Sequence, residues 1–143
     1  MPDDLARPTL RLSHRAALDM VRLAADEAER LEEPQCITVV DTGGTVIAQL
    51  RMDGARLNAL AISETKARTS ASTRFPSAEE PLAVALACGG RQTGLAGGLP
   101  IWLDGVHVGG IGVSSGPAEA DVACARAAFA LSPRLSETEG GAA

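Results

Sequence analysis

The sequence predicts an α+β domain: an antiparallel sheet of two hairpins flanked by helices, in the order α-β-β-α-α-β-β-α. Three observations carry this expectation. Ala17, Met20, Val21, Ala24, Ala28 and Leu31 recur at three- and four-residue spacing, the mark of one helical face. Two later stretches, 36–53 and 101–113, alternate in period two on either side of a glycine turn. Finally, 143 residues with 45% hydrophobic and 22% charged side chains suit one globular core, with no repeat or linker dividing it. Residues 1–9 read as an N-terminal lead, 10–132 as a single domain, and 133–143 as a polar, frayed tail.

The elements follow in order. Ser13 is placed to cap the first helix, and Pro34 to stop it. Ile37-Thr38-Val39-Val40 is a β-branched run; after Thr42-Gly43-Gly44, the residues Val46, Ala48, Leu50 and Met52 alternate with Ile47, Gln49, Arg51 and Asp53. Asn58 is the expected cap of a second helix running to about Arg74, whose polar face holds Ser63, Glu64, Thr65, Lys66, Arg68, Thr69 and Ser70. Ser77-Ala78-Glu79-Glu80 fits a capping box for a short third helix over Leu82 to Ala87. Gly89 to Pro100 reads as a glycine-rich loop. Asp104-Gly105 is the favoured type I′ turn of a second hairpin, Ile101 to Val113. Pro117, Glu119 and Asp121 suit the first turn of a last helix.

Composition excludes several classes of partner. Aromatic residues are 2% of the chain, from Phe75, Trp102 and Phe129, so no stacking platform for single-stranded nucleic acid is available. A net charge of -5 removes the basic footprint that nucleic acid or an anionic membrane requires. No apolar run approaches the roughly 18 residues of a membrane span. Met1-Pro2-Asp3-Asp4-Leu5 is acidic where a signal peptide is basic, so a cytoplasmic location is expected. Cys36, Cys88 and Cys124 are widely spaced, lack a C-x-x-C pair, and read as buried reduced thiols.

Few side chains offer chemistry. His14 reads as an exposed residue at a helix start. His107 lies opposite in phase to Val106, Val108, Gly110 and Gly112, either as a half-buried strand residue or as a ligand or proton-transfer group. The glycines at 109, 110 and 112 do not form a dinucleotide fingerprint, since Ser115 stands at the third glycine position. Glycine within a strand instead signals close approach of backbone or ligand. Gly116-Pro117 at a helix start reads as simple capping, with anion binding as the other role. Arg51 and Asp53 share one alternating face, Lys66 and Arg68 follow on the polar helix, and Arg91 lies in the glycine-rich loop.

Five motifs in order, with the Glu119-x-Asp121 helix start, make the chain resemble the GlcG/HbpS-like family. They are Val39-Val40-Asp41-Thr42-Gly43-Gly44, Arg51-Met52-Asp53-Gly54-Ala55, Lys66-Ala67-Arg68-Thr69, Gly97-Gly98-Leu99-Pro100-Ile101, and Gly109-Gly110-Ile111-Gly112-Val113-Ser114. That family is described as haem-degrading or haem-binding and also forms the C-terminal part of PduO-type proteins. The resemblance implies a profilin-like sandwich, assembled as a homodimer or larger homo-oligomer. It further implies a pocket bounded by the Arg51–Asp53 strand end, the Lys66 helix and the Gly97–Pro100 loop, completed by a neighbouring subunit. The chain departs from the family in a shorter segment between Phe75 and Gly97 and in Ser115, where glycine is usual.

Two functions follow. The first is a small-molecule-binding protein that holds haem or another small ligand through Arg51, Arg91, Gly97, Gly98, Pro100 and Ser114, with His107 as the metal ligand if haem is bound. The second is a cofactor-independent isomerase, cyclase or lyase acting on a small anionic metabolite. Arg51 and Arg91 would hold the anion, and Asp53, Lys66 or His107 would transfer protons.

Overall fold

The structure, a computed structural model, describes residues 4–79 and 81–141. Helix α1 spans His14–Arg30, and Ser13 caps it as expected: its Oγ accepts from the Ala16 N–H at 3.1 Å. Strands β1 (Cys36–Val40) and β2 (Val46–Arg51) form the first hairpin. Its turn is held by Asp41, whose carboxylate accepts from the Gly43 and Thr45 N–H groups. Helix α2 runs Leu57–Thr73 and ends at Arg74, which adopts the left-handed conformation. Asn58 does not cap it. The helix starts one residue earlier, with Arg56 at the cap position and no side chain closing the turn.

Helix α3 covers Leu82–Ala87, as expected, but the capping box does not start it: Pro81 occupies the cap position. Glu80 of that box lies outside the described residues. Ser77 is instead turned to the sheet. Its Oγ accepts from the Gly98 N–H at 2.8 Å and donates to the Leu95 carbonyl, while its own N–H bonds the Gly98 carbonyl. That pairing shortens the expected loop, because strand β3 begins at Gly98 and runs to Leu103. Strand β4 (Val106–Ser114) returns through Asp104 and Gly105, both at positive φ as a type I′ turn demands. Helix α4 (Ala118–Ala127) continues into a 3-10 turn over Ala128–Leu131. The expected fraying from 133 does not describe Leu135–Ser136, which add a short strand β5 beside β3.

The five strands lie in the order β2-β1-β4-β3-β5, each pair antiparallel. One face carries Ile37, Val39, Leu99, Ile101, Ile111 and Val113, all 0–1% exposed, against Met20, Ala24 and Ala28 of α1 and Cys124 and Ala125 of α4. The opposite face is covered by α2. There Thr38, Gly98, Gly110 and Gly112 meet Ser63, Lys66, Ala67 and Ser70. The side of α2 that reads as a solvated polar face is thus largely its buried side. Between His107 and Gly109 the register of β4 shifts by one against β3, leaving Val108 as an extra residue. Val108 joins the aliphatic core, and His107 moves to the α2 face with its cross-strand partner Trp102.

Candidate functional site

The site grows out of the contact between α2 and the sheet. A Cβ at Gly112 would fall 2.0 Å from the Ser63 carbonyl, one at Gly110 2.3 Å from the Ala67 carbonyl, and one at Gly98 2.3 Å from the Lys66 carbonyl. Only glycine lets the helix backbone come this close. Small hydroxyls fill what space remains: Thr38 Oγ1 and Ser63 Oγ share a hydrogen bond of 2.7 Å. Lys66 has no room to stand on the sheet, so its side chain runs past Gly97 to the end of β4. There Nζ donates to the Val113 carbonyl at 2.8 Å and to Asp121 Oδ2 at 2.9 Å. The two side chains are 3% and 4% exposed.

Asp121 is the residue that the sequence did not mark for this role. It sits in the first turn of α4, where its Oδ1 accepts from the Gly116 N–H at 3.0 Å, one residue before the cap position held by Pro117. Gln35 Oε1 accepts from the same N–H at 3.1 Å. Burial pushes the Asp121 carboxyl above the usual carboxylate range, outweighing Lys66, the Gly116 N–H and Gln35, which pull it down. Desolvation therefore dominates this pair. An ammonium has three N–H donors. Two are used, and the third has no acceptor among the described residues. Gly97, at φ +128, is required here, since a Cβ would lie 2.9 Å from Lys66 Nζ and 2.5 Å from the Val113 carbonyl. A buried lysine must be paired, but its partner lies 55 positions further along the chain, where no spacing rule could supply it.

Beside the pair opens a cleft of about 260 Å³, lined by Arg56, Asn58, Ile62, Leu95, Ser114, Ser115 and Gly116 together with Lys66 and Asp121. Ser115 stands at its rim with φ 121, a conformation suited to glycine.

The other expected site residues lie elsewhere. Arg51 and Asp53 line a cleft of about 570 Å³ with Leu50, Met52 and three glutamates, Glu29, Glu32 and Glu33. Arg91 lines a third cavity. Gly98 and Pro100 are buried in β3, facing α2. The structure therefore brings together Lys66, Gly97 and Ser114, with Gly98 under the α2 backbone, and sets Arg51, Asp53, Arg91 and His107 apart from them. A single chain does not close all of these around one pocket. His107 packs on Trp102 with ring centroids 5.2 Å apart. Burial and the nearby Arg74 guanidinium hold its imidazole below the ordinary 6.5, against the Gly109 backbone. Its Nε2 is buried without a hydrogen-bond partner among the described residues, as is Trp102 Nε1.

All three cysteines are free. Cys36 and Cys124 are buried, and burial pushes the Cys124 thiol up to about 11. Cys88 is half-buried. Among the described residues no three His, Cys, Asp or Glu side chains converge as metal ligands, and no helix is long and apolar enough to cross a membrane.

A five-stranded antiparallel sheet, covered on one face by a glycine-seated helix that carries a buried lysine, defines a known class of domain. Residues 12–130 match the family described as "Haem degrading protein HbpS-like", and the chain belongs to it. Among its relatives is the protein GlcG of Escherichia coli K12, 36% identical over 108 residues that cover 72% of this chain and 81% of GlcG. Another is the corrinoid adenosyltransferase PduO of Citrobacter freundii, 31% identical over 132 residues. That match takes in 86% of this chain but only 39% of PduO, so the chain spans well under half of that relative. The crystal structure of the PduOC:heme complex superposes with a TM-score of 0.83 at 25% identity, over 90% of this chain and 99% of the other.

Proposed function

We propose that this protein is a small-molecule-binding member of the HbpS-like family, with its ligand in the cleft beside the Lys66–Asp121 pair. The observation that supports this best is the buried Lys66 ammonium, which has one N–H unassigned where the cleft meets it. Arg56 and the positive end of α4 add to the same potential, so the cleft suits a ligand that carries a carboxylate. Haem, which a structural relative holds, carries two such groups. Neither histidine lines the cleft. A haem held here would therefore be anchored by its propionates, and its iron would take no histidine from the same chain at this place.

The assembled form is a homo-oligomer in this reading. Helix α3, Leu-Ala-Val-Ala-Leu-Ala, buries none of its residues; Leu82 and Leu86 are 72% and 71% exposed, beside an equally exposed Phe75. Such an uncharged surface suits cover by another copy. A second reading, a cofactor-independent reaction on a small anion, draws on Asp121: a carboxyl held above its usual range next to an ammonium is a proton-transfer couple. In that case Lys66 and Asp121, not Asp53 or His107, would carry the proton.

Haemin titration followed by the Soret band, with acetate-induced amide shifts measured in parallel, tests the binding reading. A saturable response at Gly116 and Ser115 that weakens in Arg56→Ala and persists in His107→Ala is expected. No response to either probe at these amides, or a Soret band that His107→Ala abolishes, would overturn it.

A further inference from the structure

On the far side of α2 from the Lys66 cleft, a cavity of about 260 Å³ is lined by Thr42, Gly43, Gly44, Arg68, Ser72, Arg91 and Gln92, with Ala71 and Cys88 completing it. Two guanidinium groups face it, and no Asp or Glu is among the lining residues. In a chain of net charge -5, two arginines around one small cavity are a local reversal of sign. Neither arginine has a carboxylate partner within ion-pair distance among the described residues. The neighbouring acid, Asp41, uses its Oδ1 on the Gly43 and Thr45 N–H groups of the turn.

Arg68 is held in place by its side chain, and Arg91 by the loop that follows it. Arg68 is half-buried and donates one NH1 hydrogen to the Gly44 carbonyl at 3.0 Å. Gly44 makes that lie possible, because a Cβ there would stand 3.3 Å from the Arg68 guanidinium carbon. A guanidinium carries five N–H donors, so the bond to Gly44 leaves Arg68 most of its capacity. Arg91 is exposed, but the backbone after it is tied to α2 twice. Gln92 Nε2 donates to Ser72 Oγ at 3.0 Å, and the Thr93 N–H donates to Thr69 Oγ1 at 2.9 Å. The loop therefore sets Arg91 on the same cavity as Arg68.

We infer that this cavity is a second binding site, separate from the Lys66 cleft, for a compact multivalent oxyanion gripped between Arg68 and Arg91. Planar guanidinium forks match the paired oxygens of a phosphate or of a carboxylate. Gln92 and Ser72 supply neutral polar groups at the same wall. Phosphate monoesters and small dicarboxylates share this chemistry.

Inorganic phosphate and malonate are the probes, titrated into wild-type protein by calorimetry and by amide chemical shifts. Saturable binding of at least one probe is expected, with shifts at Gly43, Gly44 and Thr93 that Arg91→Ala removes and that Arg56→Ala, in the other cleft, leaves in place. Arg91→Ala should weaken it about tenfold or more, while Arg15→Ala, an exposed arginine on α1, leaves it unchanged. Arg91 is exposed, so this variant retains the fold; Arg68→Gln, checked by circular dichroism, provides the second loss. Binding of phosphate alone assigns a phosphate head group, and binding of malonate alone a dicarboxylate. Failure of both probes to saturate, or equal affinity in wild type and Arg91→Ala, would overturn the site. Because the Gly116 amide reports on the other cleft, failure here is distinguishable from failure there.

Discussion

The two faces of the sheet are covered by helices on opposite principles. Under α1 and α4, branched side chains such as Ile37, Ile101 and Ile111 fill the space between layers, each contributing about 1.5–3 kcal/mol by leaving water. Under α2 there is almost no space to fill: Gly98, Gly110 and Gly112 let backbone meet backbone, and Thr38 and Ser63 settle their polarity with each other. The first face gains stability from volume. The second gains little from volume, but backbone contact fixes the height of the helix and so directs Lys66 to one place. A site that depends on an ammonium lying between Val113 and Asp121 is better supported by a face that cannot slide.

The sharpest test of this contrast is a pair of neighbours. Gly112→Val should cost more than about 3 kcal/mol in denaturant unfolding, since its Cβ would overlap the Ser63 carbonyl. Ile111→Val, one residue away on the aliphatic face, should cost about 1 kcal/mol. Equal tolerance at both positions would erase the distinction. Next in size is the ion pair. Lys66→Met leaves a buried carboxylate without its cation and should lose about 3–5 kcal/mol, most of it recovered when Asp121→Leu is added. A double mutant no better than Lys66→Met would show that the pair carries more than its own compensation.

The smallest effect concerns His107 at the end of the α2 face. Its imidazole titrates below the ordinary 6.5 in the folded chain, so the unfolded chain binds the extra proton first. Stability is then intact above about pH 6.5 and falls as pH drops from there through the folded value. His107→Gln should flatten that acid limb in a pH series of unfolding curves. A limb that stays as steep as in wild type would assign it to other groups.

Much of this fold is legible in the residues, and the illegible parts have physical causes. Helix α1 announces itself because Ser13 and the apolar spacing agree, and the second hairpin because Asp104-Gly105 has one good conformation. The extra residue Val108 leaves no trace in composition, yet it turns His107 from one face to the other. On α2, Ser63, Lys66, Thr69 and Ser70 look solvated because burial of small polar groups depends on partners from distant strands. Lys66 stands out as a candidate proton-transfer group, whereas Asp121 reads as a helix-start acid and part of the family motif, not as its partner. Arg51 and Arg91 look like two halves of one anion clamp in sequence; the sheet places them in different cavities.

The bonds that Ser77 makes to β3 have a consequence for how this protein meets other chains. Along the outer side of β3, Gly98 is occupied by Ser77, Pro100 has no N–H to offer, and Trp102 and Leu103 are paired with β5. An incoming strand finds no ladder of free donors along β3, so this side of the sheet is closed to edge-to-edge growth.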